Sequence, residues 1–334
     1  MLPTPGQSSA FDAGPLLLCG VALSWYVGVR AAIDALSPSR FATLTHALAM
    51  AMPASLLSAW SVATGRADVA VAMVFSSAVS AMSLALGAAL LSAPRHVEPS
   101  TGQRWWLMLG PLSGVALLAG LSGRVGGLHV IALLTIAVLA RLLVRADVPR
   151  TAAQSSLPRD PLFVRVAQTT LAVILVGTGC YIAFVAIELV NVRVGRETGD
   201  ILATILFGPA SALPLIGAAT HLLRHHRSTE AVGSLVGSAV LLLGVTLPTL
   251  ALAWSLLNFR PPDLDGGWFH LARSGLSAIA FPLRVWRVDA VLLVVLSIAI
   301  APSAFGRWSL GRLEGLLLVL LYLGYLIASV STTV

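Results

Sequence analysis

The chain has 334 residues, of which 57% are hydrophobic and 10% charged, with a mean hydropathy of +0.90. Those values exclude a soluble globular domain as the bulk of the molecule. The net charge of +7 comes from 21 arginines and no lysine. No long basic and aromatic surface segment exists to bind a polyanion, so no nucleic-acid partner is expected.

The leader MLPTPGQSSAFDAG carries no basic residue and does not read as a cleavable signal, so the first apolar span is expected to remain in the mature protein. Apolar stretches long enough to cross a hydrocarbon core of about 30 Å follow in order. They occupy roughly residues 15–36, 41–63, 69–93, 104–121, 125–144, 163–192, 200–223, 230–257, 288–304 and 310–330. Irregular backbone cannot face lipid, so each should be a helix, and the partner implied is the lipid bilayer. Residues 258–270 read as an external loop, and the following segment to 288, which mixes apolar residues with Arg273, Arg284 and Arg287, reads as partly embedded or interfacial.

The linker ADVPRTAAQSSLPRDP (146–161) separates five spans from five. This predicts a short extracytoplasmic N-terminus (1–14), a first five-helix repeat (15–145), a cytoplasmic linker (146–162) and a second five-helix repeat (163–334). The two sides of the membrane receive unequal numbers of arginines, with Arg95, Arg104, Arg141, Arg145 and Arg150 among those on the richer side. The richer side is cytoplasmic by the positive-inside rule. The expectation is a multi-pass protein of the cell (inner) membrane with both termini extracytoplasmic.

Residues 19–87 and 180–248 repeat one another at an offset of 161. Pro53 aligns with Pro214, Cys19 with Cys180, and Ser77-Ala78-Val79 with Ser238-Ala239-Val240. An odd number of crossings per half makes the repeats inverted, the arrangement that places a transport site at the repeat interface. Proline removes an amide donor, so Pro53 and Pro214, the latter close to Gly208 and Pro209, are expected to break their helices near mid-depth. The helix after each break is rich in small residues, with Gly233 and Gly237 matching Ala72 and Ser76, which lets helix backbones approach closely.

This pattern resembles the calcium:cation antiporter superfamily, the sodium/calcium exchanger membrane fold. The family's alpha repeat reads roughly G-[NT]-S-x-P-E, followed after a turn by G-N-x-x-G-S-N. Here the first copy reads Ala49-Met50-Ala51-Met52-Pro53-Ala54, then residues 72–78; the second reads Ala210-Ser211-Ala212-Leu213-Pro214-Leu215, then residues 233–239. Ser37-Pro38 is similar to the start of the family's second span, and Arg312-Leu313-Glu314-Gly315 through Tyr322 looks like its closing R-x-E-G-x-L-L-L-x-x-Y. The resemblance implies an all-α integral membrane fold of about ten helices in two inverted repeats.

It also implies where the family's cation ligands would stand, and there the chain departs. Ala54 and Leu215 replace the two glutamates, and Ala78 and Ala239 replace Asn or Asp, so these are degenerate ligand positions. Calcium takes about six to eight oxygens, normally including carboxylates. Without them the ion would be uncompensated in a low-dielectric interior. The groups left to line a central path are Ser55, Ser58, Ser76, Ser77, Ser80, Ser211, Ser234 and Ser238, with Met50, Met52 and Met73. Such serines can hold a weakly polar solute or a monovalent cation, or bond to a carbonyl one turn back in their own helix.

Among titratable residues, His46 lies seven residues before Pro53 on nearly the same helix face, as a proton acceptor toward the path or as a packing histidine. Arg30 and Asp34 are spaced to pair on one face of the first span. Glu188 and Asn191 belong at the water boundary, and His221, His225 and His226 with Arg224 and Arg227 form a basic turn without the partners of a metal site. Glu314 is expected to cap and orient the last helix. Neither a metal nor a cofactor is implied, and no GxSxG, HExxH, P-loop or DxxxD constellation points to an enzyme. The reading is an exchanger-like secondary transporter of an unknown small solute or ion with a degenerate cation site. Its alternative is a transport-inactive homologue serving as a structural or regulatory subunit of a membrane-protein partner.

Overall fold

The computed structural model describes residues 13–36, 42–92, 104–147, 162–194, 196–224, 227–258, 278–304 and 308–331. The elements follow the apolar stretches closely. They are α1 (Ala13–Leu36), α2 (Ala42–Ala63), α3 (Ala67–Ser80) and α4 (Leu86–Ser92), α5 (Leu109–Leu121), α6 (Gly127–Asp147), α7 (Leu162–Val194) and α8 (Arg196–Arg224). The second half continues with α9 (Ser228–Leu241), α10 (Leu247–Leu257), α11 (Leu283–Val285), α12 (Val291–Ala304) and α13 (Arg312–Ser331). A 3₁₀ turn at Arg104–Met108 leads into α5. Seven of the helical stretches are long and apolar enough to span a bilayer, and the shorter apolar helices add to them. With α1, which precedes them, they form the ten-helix, two-repeat membrane fold. The linker and both termini lie almost wholly outside the described residues, as does Ser37-Pro38.

Three π-helical segments join helices into longer rods: Ala81–Ala85 between α3 and α4, Leu242–Thr246 between α9 and α10, and Trp286–Ala290 between α11 and α12. The first two sit 161 residues apart, the offset of the sequence repeat. So do α3 and α9, and so do their N-cap residues, Arg66 and Arg227. The internal repeat is therefore carried down to local backbone geometry.

The prolines behave differently from expectation. α2 runs without interruption through Pro53, and α8 through Pro209 and Pro214. The departures from α-helical hydrogen bonding lie in the neighbouring helix of each hairpin, in the π segments, which are often found at functional sites. The amide lost at a proline costs each helix one bond, and surrounding protein tolerates it because Pro53 and Pro214 are both buried.

The core is α2, α3, α8 and α9, packed reciprocally: α2 of the first half against α9 of the second, and α8 against α3. The start of α2 lies beside the start of α9, since His46 Nδ1 is 3.8 Å from Glu230. The end of α2 leads straight into α3. Hence α3 and α9 begin at opposite ends of the core, as inverted repeats require. α1 and α7 cover one flank in close contact, where Ser24 donates to the Leu175 carbonyl at 2.7 Å and Trp25 fills the space over Gly179. α13 covers another, approaching α4 so closely that a Cβ on Gly315 would stand 2.8 Å from the Gly87 carbonyl.

Two smaller features differ from the sequence reading. Residues 283–290 are helical and continue into α12, and Ile279–Ala280 pairs antiparallel with Arg124–Val125. The end of the segment read as interfacial is thus the start of a spanning helix. Arg30 does not pair with Asp34; its guanidinium donates to the Tyr26 hydroxyl at 3.1 Å. Helical side chains lean toward the N-terminus, which favours the partner one turn back.

Candidate functional site

The four positions where the resemblance would put polar ligands lie on the four core helices α2, α3, α8 and α9. Ala54, Leu215, Ala78 and Ala239 are all buried and belong to one apolar cluster. Pro53 lies beside Ala54, and its carbonyl accepts from the Cys180 thiol of α7 at 3.5 Å. Both cysteines are free, Cys19 exposed and Cys180 buried, so the repeat's matching positions are not treated alike by packing.

Around this apolar centre the hydroxyls mostly turn back on their own helices. Ser76 donates to Met73 O at 3.3 Å, Ser80 to Ser76 O at 2.7 Å and Ser211 to Gly208 O at 2.8 Å. Ser234 donates to Glu230 O and Ser238 to Leu235 O, each at 2.7 Å. This is the helix back-bonding that the sequence left open. Met73 is no free soft ligand either, since its thioether accepts from Ser61 at 3.7 Å. Met50 is buried and Met52 partly so.

Two contacts and one unbonded hydroxyl break that pattern. Ser211 of α8 meets Ser77 of α3 at 3.3 Å, joining the two halves at the centre. Ser55 of α2 meets Thr246, the last residue of the second π segment, at 2.8 Å. Ser58, fully buried, has no hydrogen-bond partner for its hydroxyl among the described residues. A buried unsatisfied hydroxyl is costly.

Sequence reasoning missed a second polar line running off this centre. Ser80 also reaches the hydroxyl of Tyr322 on α13 at 3.2 Å, and both lie over Gly208. The Tyr322 ring packs on Tyr325 with centroids 5.5 Å apart, and the Asp289 carboxylate lies close enough to act electrostatically on both tyrosines. Asp289 sits in the third π segment and is buried, not at a wetted helix end. Thr246 and Asp289 carried only one available signal, their place inside apolar spans, which flags intramembrane polar groups in general, while Tyr322 stood in the closing motif without a role assigned to it.

The charged groups gather at the two ends of the core. Arg66, buried at the start of α3, donates to Glu188 of α7 at 2.5 Å. Arg227, at the equivalent place before α9, is paired with Glu230, whose carboxylate also faces His46. His46 is fully buried, and neither ring nitrogen has a hydrogen-bond partner among the described residues. Among the described residues no group of three or more His, Cys, Asp or Glu side chains is placed to hold a metal ion. At the far end of the chain, Glu314 accepts from the Gly311 amide at 2.8 Å and from Trp308 at 3.2 Å, capping α13.

A largely apolar helical core built from two inverted repeats is the architecture of the inverted-repeat class of polytopic transporters. The comparisons make this particular. The family model described as "Sodium/calcium exchanger protein" matches residues 127–331, and the chain belongs to that family. In fold it is similar to the sodium-calcium exchanger NCX_Mj soaked with zero Na⁺ and Ca²⁺, with a TM-score of 0.62 at 16% identity, covering 96% of this chain and 97% of that one. It is equally similar to the H⁺/Ca²⁺ exchanger CAX, with a TM-score of 0.62 at 14% identity, covering 96% and 88%. Comparison with curated protein sequences gives no match.

Proposed function

We propose that the protein is an exchanger-type secondary transporter whose central site has exchanged carboxylate chemistry for hydroxyl chemistry, so that it carries a solute or ion other than calcium. The observation that supports it is the pair of cross-half contacts, Ser77–Ser211 and Ser55–Thr246, with unbonded Ser58 on the same helix as Ser55. These put neutral oxygens where the two repeats meet, and no carboxylate at Ala54 or Leu215. A monovalent cation of low charge density, or a weakly polar neutral solute, suits such a set better than a divalent ion.

A second reading has its own observation. Most of the candidate hydroxyls are spent on carbonyls of their own helices, and Ala54, Leu215, Ala78 and Ala239 close the centre with apolar packing. That suits a homologue which has lost transport and serves as a subunit of a membrane-protein partner. Purified protein reconstituted into liposomes separates the two. Counterflow of a monovalent cation that weakens in Ser58→Ala and Ser77→Ala supports transport. Absence of flux for Na⁺, K⁺, Ca²⁺ and protons, together with stable co-purification of one membrane protein, supports the subunit reading.

A further inference from the structure

We propose that His46 is a proton-binding site and that its proton competes with Arg227 for the carboxylate of Glu230, releasing one end of the core helices. The ring is fully buried in α2, Nδ1 is 3.8 Å from Glu230 Oε2, and neither nitrogen has a hydrogen-bond partner among the described residues. The same Oε2 is held by Arg227 from the turn before α9. Glu230 and Arg227 are each about one-third exposed, at 30% and 32%, so water reaches the carboxylate and a proton can pass from it to the imidazole.

The neighbouring groups set the direction. From α9 the charges facing His46 are Glu230 and Arg227. α1 offers the Ile33 carbonyl, while its Asp34 is exposed. α8 ends at the same face with His221 and Arg224, and the charged residues of α3 and α7 that pair, Arg66 and Glu188, lie at the opposite end. α10 presents no charge.

With Arg227 on Glu230, one negative charge is already matched, and an imidazolium beside it would be a surplus cation in a buried place. If Arg227 swings away, the carboxylate is left for His46, and the proton that binds there restores the balance. Proton uptake and release of the arginine clasp therefore favour each other, and the coupling is reciprocal. The clasp at the other end, Arg66 with Glu188, has no histidine in contact among the described ion pairs. Acid is thereby sensed at one end of the inverted repeat.

The proton site stands independently of what the core carries; only its use as a gate rests on the transporter reading. The test uses the full chain in lipid nanodiscs with isotope-labelled histidine, the His46 signal being assigned by its loss in His46→Gln. The expected result is a His46 titration whose midpoint moves to more acidic pH in Glu230→Gln and to less acidic pH in Arg227→Gln. In a Cys19→Ser/Cys180→Ala background, thiol labelling of Ser234→Cys, measured relative to the exposed Thr64→Cys, should rise severalfold on acidification and lose that rise with His46→Gln. A His46 signal that stays in one protonation state, or a midpoint indifferent to both variants, overturns the site. Titration without any change in labelling overturns the clasp. If both hold and no ion flux is found, the proton site stands and the transporter reading falls.

Discussion

Arg66 and Arg227 hold equivalent places in the two halves, each as the residue before the second core helix, with φ, ψ of −108°, 60° and −101°, 50°. They lie at opposite ends of the core, and each is clasped by a glutamate of different origin, Glu188 from α7 and Glu230 from within α9. The backbone of the repeat has been kept while its charge partners have diverged. That divergence is what gives the two faces different chemistry.

The opposite placement predicts sidedness. Thr64 lies in the exposed turn before Arg66, and Arg224 is exposed at the end of α8 near Arg227. In a cysteine-free background in intact cells, an impermeant thiol reagent should label Thr64→Cys from outside and leave Arg224→Cys untouched until the membrane is opened. The arginine asymmetry adds that Ser155→Cys in the linker stays protected and Ser8→Cys is labelled. Labelling of Thr64→Cys and Arg224→Cys from the same side would end the inverted-repeat assignment.

A second expectation concerns the mutual glycine contact of α4 and α13. A Cβ added to Gly315 would meet the Gly87 carbonyl at 2.8 Å, and one added to Gly87 would meet the Gly315 carbonyl at 2.7 Å. Neither obstacle is a flexible side-chain tip, so backbone has to shift. Overpacking of this kind costs about 1–3 kcal/mol. Gly315→Ala and Gly87→Ala should each lower the melting temperature in detergent, whereas Gly324→Ala, where an added Cβ meets nothing within 4 Å, should not. Equal melting of all three would mean that the helices are not in this contact.

How much of this was legible in the sequence follows from the kind of signal. Span positions were readable because hydrophobic length is fixed by bilayer thickness, and the described helices keep to them within a few residues. The repeat was readable because Pro53 and Pro214 mark it. Its local consequence was not, since a π segment at Ala81–Ala85 or Leu242–Thr246 has no residue signature, whereas proline has one and drew the expected break to the wrong helix. The Glu314 cap was readable because its partners are local. His46 with Glu230, Ser55 with Thr246 and Asp289 with Tyr325 join residues far apart in sequence, which periodicity alone cannot pair.

The hydroxyl line from Ser80 to Tyr322 makes a third expectation. Tyr322→Phe removes one partner of Ser80, which keeps its bond to Ser76 O, so the loss should be close to that of a single hydrogen bond, about 0.5–1.5 kcal/mol. Gly208→Ala should cost more, because the new Cβ would sit 2.9 Å from Ser80 Oγ and 3.3 Å from the Tyr322 hydroxyl. Thermal unfolding of Tyr322→Phe, Gly208→Ala, Ser80→Ala and the double variant Tyr322→Phe/Ser80→Ala checks this. A double variant that loses the full sum of its parts would show that the two hydroxyls do not interact.

The last expectation is the absence of calcium-dependent stabilisation. A ligand that binds only the folded state raises stability by RT ln(1 + [L]/Kd), about 2.7 kcal/mol at a hundredfold excess over Kd. The proposed reading puts Ala54 and Leu215 where the family's carboxylates would stand, and both side chains lack oxygen and are packed in the apolar core. Among the described residues Asp289 is a buried acid beside Tyr322 and Tyr325, on the side of the core where Tyr322 meets Ser80. Ser77, Ser211, Ser55 and Thr246 supply neutral oxygens, too few in charge to offset the dehydration of a doubly charged ion. Millimolar calcium should therefore shift the melting temperature of the purified protein no more than magnesium does at equal ionic strength. A saturable, calcium-specific shift that disappears in Ser77→Ala or Ser211→Ala would mean that hydroxyls and carbonyls at the seam have rebuilt a divalent site. Restoring acid by Ala54→Glu with Leu215→Glu completes the test, since a calcium-dependent shift appearing only in that variant would show that the scaffold retains the geometry and lacks the charge alone.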